Sequence, residues 1–201
     1  MTDKSRFLLE SIKVDKNQIH NLDYHEERIT KSSVDVFGQK IIVNFDPIID
    51  EVRRLPDLLF KLRVVYNGNY FKYSFNPYKK KKINTLKKVY SSKVTYSYKY
   101  LDRDKLDSLY LQRRHHDDII IIRDNLVTDS YYCNLAFRKD DKWYTPATPL
   151  LKGTKRQQLI ENGEIEEKII SATNLGDYDS VSLFNAMLDH KEIIIPIDNV
   201  F

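Results

Sequence analysis

The residues with the clearest chemical potential lie between positions 117 and 156. A predicted buried strand, a tight turn at 124–125 and a second strand lead to an acid, Asp129. Further along, residues 153–156 (Gly-Thr-Lys-Arg) open a predicted helix. A glycine lets the backbone approach a ligand closely, and the first N–H groups of a helix attract an anion. This stretch therefore predicts an acidic group and an anion-binding helix start.

The composition describes an ordinary globular protein with length for one or two domains. Of its 201 residues, 41% are hydrophobic and 31% are charged, which is typical of such proteins. The 33 basic residues are interleaved with 29 acidic ones, so the net charge of +4 does not indicate a nucleic-acid partner. We interpret the basic run 79–82 as a solvated loop, with a polyanion site as the lesser alternative.

Several other classes of protein are disfavoured. No apolar run approaches the ~20 residues of a membrane span, and the N-terminus enters a predicted strand without the pattern of a signal peptide. Cys133 is the single cysteine, so the chain cannot form an internal disulfide or a cysteine metal site. We therefore expect a cytoplasmic enzyme or binding protein.

Common site motifs are missing or weak. The five glycines are too scattered for a dinucleotide fingerprint or a phosphate loop, and no G-x-S-x-G nucleophile elbow is present. The run 115–118 (His-His-Asp-Asp) suggests metal ligands at first sight, but neighbouring side chains on a helix diverge. We interpret it as a polar helix end and predict no metal site.

The first predicted domain, residues 1–90, is a small α+β unit. Asp23 is the predicted cap of a helix that Gly38 ends, and the Asn-Gly pair at 67–68 predicts a hairpin turn. The predicted strands are 7–14, 18–22, 40–45, 59–66, 69–76 and 82–90, and the predicted helices are 24–36 and Pro47 to about Arg54.

A connector, residues 91–98, leads to a larger predicted α/β domain, residues 99–201. Asp102 is the predicted cap of a helix that reaches about His115, and Thr154 begins a helix that ends at the Asn-Gly pair 162–163. The predicted strands are 119–122, the one that reaches Asp129, 134–137, 143–146 after a hairpin at 140–141, 164–170, 181–186 and 193–197.

The order of these motifs resembles the class IV aminotransferases, the fold-type-IV pyridoxal-phosphate (PLP) enzymes. That family carries T-E-x-x-x-x-N-hydrophobic, aromatic-T-P and G-[IV]-[TMK]-R in the same order, matched here by 128–135, 144–146 and 153–156. The resemblance implies an α+β, two-domain fold like that of D-amino-acid aminotransferase. It also implies a shortened N-terminus, because family members carry about twenty further residues there, including a lid beside the substrate.

The resemblance assigns the cofactor residues one by one. Lys99 lies in the segment Y-K-Y-L-D-R, which resembles the K-x-L-N-R of aminodeoxychorismate lyases with Asp102 in place of the asparagine, and it would bond covalently to PLP. Asp129 stands where the family usually has Glu and would hold the proton on the pyridine nitrogen. Arg28, in the family's H-x-x-R, would bind the phosphate together with the backbone N–H groups of Thr154 and Lys155.

A segment near the C-terminus also matches the lyases. Residues 184–187 (Phe-Asn-Ala-Met) resemble the family's N-A-L-M. The match places Asn185 near the phosphate, and Ala186 and Met187 beside the substrate carboxylate.

The resemblance implies a PLP-dependent lyase like 4-amino-4-deoxychorismate lyase, an enzyme of folate biosynthesis that releases pyruvate and 4-aminobenzoate. The alternative is a class IV aminotransferase that uses the same residues on an amino acid. A remote alternative is a non-catalytic, basic binding module. Family members are typically homodimers, so we expect a homodimer with a small amino substrate and no nucleic-acid or membrane partner.

Overall fold

The computed structural model describes residues 7–201 and divides the chain into two compact units. The first unit runs up to Lys80 and adds Tyr98–Asp102, and the second comprises Lys81–Ser97 and Arg103–Phe201. Both mix helices with sheets, so the predicted α+β class is confirmed. Across residues 7–201, no helix is long and apolar enough to cross a membrane.

The first unit is built on a four-stranded antiparallel sheet in the order β2-β1-β3-β4. Its strands are β1 (Leu8–Asp15), β2 (Gln18–Ile19), β3 (Phe60–Tyr66) and β4 (Phe71–Pro77). Alternation along β1 turns Leu8 and Ile12 into the core, where they meet Leu62 of β3. The strands predicted at 7–14, 59–66 and 69–76 correspond to β1, β3 and β4.

Two helices, α1 (Leu22–Phe37) and α2 (Asp46–Val52), belong to the same unit. The predicted end of α1 is confirmed, because Gly38 has φ 73° and its N–H donates to the Val34 carbonyl at 2.9 Å. The predicted cap at Asp23 is wrong. The helix starts at Leu22 after Asn21, which takes the left-handed conformation (φ 54°) that asparagine tolerates.

Residues 40–45 do not form the predicted strand. Val43 and Phe45 are buried in the core, as their hydrophobicity suggested. Ile41 N–H donates to the side chain of Ser33, at 3.0 Å from its Oγ. An apolar run thus packs without joining a sheet.

The segment 98–102 joins the first unit by pairing with the start of β1. Leu9 N–H donates to the Lys99 carbonyl at 2.9 Å, and Leu101 N–H donates to the Phe7 carbonyl at 2.8 Å. Leu8 and Tyr100 form an antiparallel bridge between these bonds. The backbone of Lys99 is therefore fixed on the edge of the sheet.

The second unit contains two sheets, ordered β5-β6-β7 and β10-β9-β8-β11-β12 within the described residues. Its strands are β5 (Leu86–Tyr90), β6 (Asp118–Arg123), β7 (Leu126–Ser130), β8 (Asn134–Lys139), β9 (Lys142–Pro146), β10 (Glu166–Lys168), β11 (Ser180–Asn185) and β12 (Leu188–Pro196). Its helices are α3 (Asp104–Tyr110) and α4 (Thr154–Glu161), with 3₁₀ turns at Leu111–Arg113, Ala172–Asp177 and Ile197–Asn199.

The strand β5 lies in the second unit because it pairs in parallel with β6. The predicted first domain, residues 1–90, includes this stretch after two other β segments. The predicted second domain begins at Lys99. In the structure, the backbone of 98–102 pairs with β1, so Lys99 belongs to the first unit. The unit to which β5 belongs, and the unit to which segment 98–102 belongs, are both decided by long-range strand pairing, which a single sequence does not reveal.

The strands around Asp129 follow the prediction closely. All four isoleucines at 119–122 are buried in β6. The turns at 124–125 and 140–141 have positive φ at both residues, between 51° and 64°. Paired positive φ values are those of the tight hairpin turns that Asp and Asn favour, so both predicted hairpins are confirmed.

Three predicted elements in this unit have different bounds. The helix predicted to reach His115 begins at Asp104 and ends at Tyr110, because the chain passes through a 3₁₀ turn to Arg114 at φ 57°. The strand predicted at 164–170 is only Glu166–Lys168, since the N–H of Glu164 still donates to a carbonyl of α4. β12 starts at Leu188, five residues earlier than predicted.

Candidate active site

Asp129 lies near the end of β7 and accepts hydrogen bonds from Asn134 and Leu151. Its Oδ1 accepts a hydrogen bond from Asn134 Nδ2 at 2.8 Å, and its Oδ2 accepts one from the Leu151 N–H at 2.9 Å. Asn134 Nδ2 also donates to the Leu151 carbonyl at 2.9 Å. Asn134 thus ties the acid to the loop that precedes α4.

The Asp129 carboxyl is buried, with 6% of the residue exposed. Burial raises its pKa to about 6, because the charged form loses water, while the bonds from Leu151 and Asn134 oppose the rise. The group is thus mostly ionised at neutral pH and would hold a proton on a nearby basic nitrogen.

Gly153 stands where the loop comes closest to Asn134. A Cβ built on Gly153 would lie 2.1 Å from Asn134 Oδ1, which is far inside van der Waals contact. Gly153 has φ −71°, so the close approach rather than an unusual backbone angle requires the glycine. The packing of this loop against the Asp129–Asn134 pair depends on the absence of a side chain.

The helix α4 begins at Thr154, directly after Gly153, as predicted. Thr154 is buried, and the first N–H groups of any helix lack partners within it. The Lys155 side chain points elsewhere, because its Nζ lies 2.8 Å from Asp189 Oδ1 and 3.1 Å from Gln158 Oε1. Its predicted role as an anion ligand therefore rests on the backbone N–H.

Arg156, the last residue of the predicted 153–156 segment, is buried. One Nη donates to the Pro146 carbonyl at 2.9 Å and to Glu167 Oε1 at 2.6 Å. These bonds tie the first turn of α4 to the end of β9 and to the middle of β10. Its charge also lowers the pKa of Asp129, although burial dominates there.

Asn185 closes the turn between β11 and β12. Its Oδ1 accepts the Met187 N–H at 2.8 Å, and its Nδ2 donates to the Tyr132 carbonyl at 3.3 Å. Ala186 lies at the tip of the turn and Met187 is buried. The side chain thus connects this turn to the one that follows Asp129.

Arg103 also positions the turn that follows Asp129. The sequence motif Y-K-Y-L-D-R contains it but predicted no role for it. Its Nη2 donates to the Tyr131 carbonyl at 2.6 Å, and its guanidinium lies 4.7 Å and 4.5 Å from the ring centres of Tyr131 and Tyr132. Arginine stacks well on aromatic faces. With Asn185, it fixes residues 131–133 from two sides.

In the first unit, Arg28 binds a buried carboxylate, Glu10. Arg28 Nε lies 2.9 Å from Glu10 Oε1 and Nη2 lies 2.5 Å from Oε2. His25 Nδ1 lies 2.6 Å from the same Oε2. Without this partner, Arg28 would pass for a solvated helix residue. Instead, it is a partly buried member of a network, with 15% of its side chain exposed.

Charge balance in this network follows from burial. Burial alone would raise the pKa of Glu10, but the Arg28 charge and the bond from His25 outweigh it and lower the pKa to about 2. Burial lowers the pKa of His25, the bond to Glu10 opposes this, and the charges of Arg28 and Lys99 add to it. His25 is therefore neutral and donates from Nδ1.

Two of the residues predicted to hold the cofactor contact β1 in the first unit. The Lys99 carbonyl accepts a hydrogen bond from the Leu9 N–H, and Arg28 bonds to Glu10. The Lys99 charge also contributes to the lowered pKa of His25. The second unit brings together Asp129 and the loop that leads to Thr154. Sequence reasoning missed Glu10 as a functional candidate, although its burial could be suspected from its place inside an apolar strand.

Comparisons with known proteins place this geometry in a family. Residues 8–193 match the class IV aminotransferase family. A Haemophilus influenzae protein of uncharacterised function is 34% identical over 182 residues, covering 90% of this chain and 97% of the relative. The chain belongs to the class IV aminotransferase family.

Two solved structures extend the comparison. The crystal structure of a candidate 4-amino-4-deoxychorismate lyase from Haemophilus somnus has a TM-score of 0.85 and 34% identity, covering 91% of this chain and 97% of its own. A candidate amino-acid aminotransferase from Mesorhizobium loti has a TM-score of 0.81 and 17% identity, covering 97% and 99%. The second likeness shows the fold alone. Together they confirm the predicted fold-type-IV architecture.

The class IV family depends on PLP, and the residues present fit that cofactor chemically. PLP requires an amine for its aldehyde, an acid for its ring nitrogen and donors for its phosphate. Lys99, Asp129 and Arg28 are of these types. The first turn of α4, which begins at Thr154, supplies backbone N–H donors of the kind that bind a phosphate.

Proposed function

We propose that this protein is a PLP-dependent lyase that acts on 4-amino-4-deoxychorismate and releases pyruvate and 4-aminobenzoate. One observation carries the proposal, namely the 34% identity, sustained over 91% of the chain, with a structure described as a candidate lyase of this kind. The segment Lys99 to Arg103, K-Y-L-D-R, supports it because it resembles the lyase K-x-L-N-R, with Asp102 in place of the family's asparagine.

Lys99 would hold the cofactor covalently through Nζ, on the rigid edge of β1. When bound, PLP supplies an electron sink that stabilises negative charge on the substrate carbon next to the amine. Lys99 would then accept and return protons at Nζ as general base and acid. Asp129 would keep the ring nitrogen protonated, because its carboxylate is buried and fixed by Asn134 and Leu151.

The phosphate would be bound by Arg28 and by the backbone N–H groups of Thr154 and Lys155. Asn185 would support the phosphate site from the β11–β12 turn, and Ala186 and Met187 would present backbone to the substrate carboxylate. We also infer, from the family resemblance, a homodimer that works in the cytoplasm.

The test is product analysis with aminodeoxychorismate as the only substrate. The lyase should form 4-aminobenzoate and pyruvate in equal amounts over many turnovers, with no keto-acid acceptor. Lys99→Ala should form neither. If turnover requires an amino acid together with 2-oxoglutarate or pyruvate and shows ping-pong kinetics, the protein is a class IV aminotransferase. If the purified protein binds no PLP, the binding-module alternative replaces both.

A further inference from the structure

The first unit contains a buried acid to which the proposed function gives no task. Glu10 and His25 are both 0% exposed. Burying a carboxylate costs several kcal/mol unless partners compensate for the lost water. A strand residue at this position could be apolar like its neighbours Leu8 and Ile12. The retained charge therefore requires an explanation.

The geometry of the Glu10 contacts is that of a fork. Both carboxylate oxygens accept from Arg28, at 2.9 Å from Nε and 2.5 Å from Nη2. Paired bonds of this kind fix the plane of a guanidinium as well as its position. His25 holds Oε2 from the other side at 2.6 Å. The acid is therefore itself anchored to a buried residue of α1.

We propose that Glu10, anchored by His25, is a positioning residue that orients Arg28 for the phosphate of the cofactor. This inference rests on the proposed function, because it takes Arg28 to be a phosphate ligand. Two of the five N–H donors of Arg28 point at Glu10, so the others lie in the same fixed plane. A guanidinium ordered in advance loses less rotamer freedom when an anion binds.

Glu10 could instead compete with the phosphate for Arg28. If Glu10 only neutralised Arg28, removal of the Glu10 charge would strengthen phosphate binding, because the positive charge of Arg28 would no longer be neutralised. If Glu10 orients Arg28, removing the charge weakens phosphate binding. The two roles thus predict changes of opposite sign in the affinity for the phosphate. A general loss of stability would weaken the binding of PLP and of its phosphate-free analogue equally, so comparison of the two ligands separates it from both roles.

The experiment measures dissociation constants of PLP and of pyridoxal, which lacks the phosphate, by absorbance titration of the full-length protein. Glu10→Gln should weaken PLP binding about tenfold, the scale of one charge-assisted hydrogen bond. Pyridoxal binding should stay within about twofold. Asp50→Asn is the matched control, because it removes the acid of the exposed Arg53–Asp50 pair in the same unit. It should change neither constant.

A second pair of variants keeps the test open if Glu10→Gln does not fold. His25→Leu removes the donor that anchors Glu10, and His25→Asn retains an N–H donor near the position of Nδ1. His25→Leu should weaken PLP binding more than pyridoxal binding, and His25→Asn should restore most of the loss.

Three outcomes are distinguishable. A PLP-to-pyridoxal affinity ratio that falls in Glu10→Gln and His25→Leu supports positioning. An unchanged ratio, or tighter PLP binding, overturns it while leaving the proposed function intact. If the wild-type protein binds no PLP, the proposed function is wrong. In that case, loss of inorganic phosphate binding in Glu10→Gln would still show that Glu10 supports anion binding at Arg28.

Discussion

Replacing Gly153 with alanine should disrupt the support of Asp129 without touching the acid itself. The new Cβ would lie 2.1 Å from Asn134 Oδ1, so Asn134 has to retreat by about 1.3 Å to reach an ordinary contact distance. That shift exceeds what the bonds from Nδ2 to Asp129 (2.8 Å) and to the Leu151 carbonyl (2.9 Å) can follow. We expect a loss of about 2–4 kcal/mol in unfolding free energy, one charged and one neutral hydrogen bond.

The assay is urea denaturation of Gly153→Ala in the wild-type and Asn134→Ala backgrounds. Asn134→Ala removes the obstructing oxygen, so Gly153→Ala should cost much less there than in the wild type. Gly176→Ala is the control, because a Cβ at that glycine meets no atom within 4 Å, and it should be nearly neutral. Equal costs of Gly153→Ala in both backgrounds would refute the steric account. Backbone entropy would not explain such a cost, because alanine at a φ of −71° restricts the unfolded chain and favours folding.

Three further predictions concern the charged residues. Lys99→Ala should abolish the visible absorbance of bound PLP and all turnover; yellow protein with the cofactor trapped by borohydride on another lysine would place the site elsewhere. Asp129→Asn should retain PLP but lower turnover by about 100-fold or more, and near-wild-type turnover would reduce Asp129 to a turn residue. The lowered pKa of Glu10, about 2 against an ordinary 4.5, contributes about 3 kcal/mol above pH 4.5 that is lost as the pH falls towards 2. Acid titration of unfolding should therefore be flatter in Glu10→Gln than in the wild type, and parallel curves would argue against a charged, buried Glu10.

The local elements of the fold were predictable because local chemistry specifies them. Gly38 ends α1 with a positive φ, the Asp- and Asn-containing turns at 124–125 and 140–141 take left-handed angles, and Thr154 begins α4. In each case the residue that determines the geometry lies within the element or beside it. Patterns of this range are what a single sequence carries.

Membership of the units was not predictable, because distant pairing decides it. β5 looks like a continuation of the strands before it, yet its hydrogen-bonding partner is β6, about thirty residues later. Segment 98–102 looks like the start of the next domain, yet it pairs with β1. Residues 40–45 have the composition of a strand but do not form one, and Ile41 N–H donates to the Ser33 hydroxyl. Local propensity yields to such contacts.

The motif spacings that identified the family have a direct physical meaning in the contacts. The five-residue spacing from Asp129 to Asn134 is the length of chain that leaves β7, turns through 131–133 and returns the amide to the acid at 2.8 Å. A shorter turn would leave the amide out of reach, and a longer one would loosen it. Hydrogen bonds from Arg103 and Asn185 hold the turn 131–133 in place.

The three-residue spacing of His25 and Arg28 has an equivalent explanation. Residues three apart on a helix share a face, so both side chains of α1 reach the same carboxylate of β1. The motif H-x-x-R therefore describes two donors aimed at one acid, and the glutamate of the first strand is the third member of the motif. A motif of this kind therefore contains both the residue expected to bind the ligand and a residue that contacts the same carboxylate. Glu10 lies on a different element, β1, so its contacts with the motif are evident only from the three-dimensional structure.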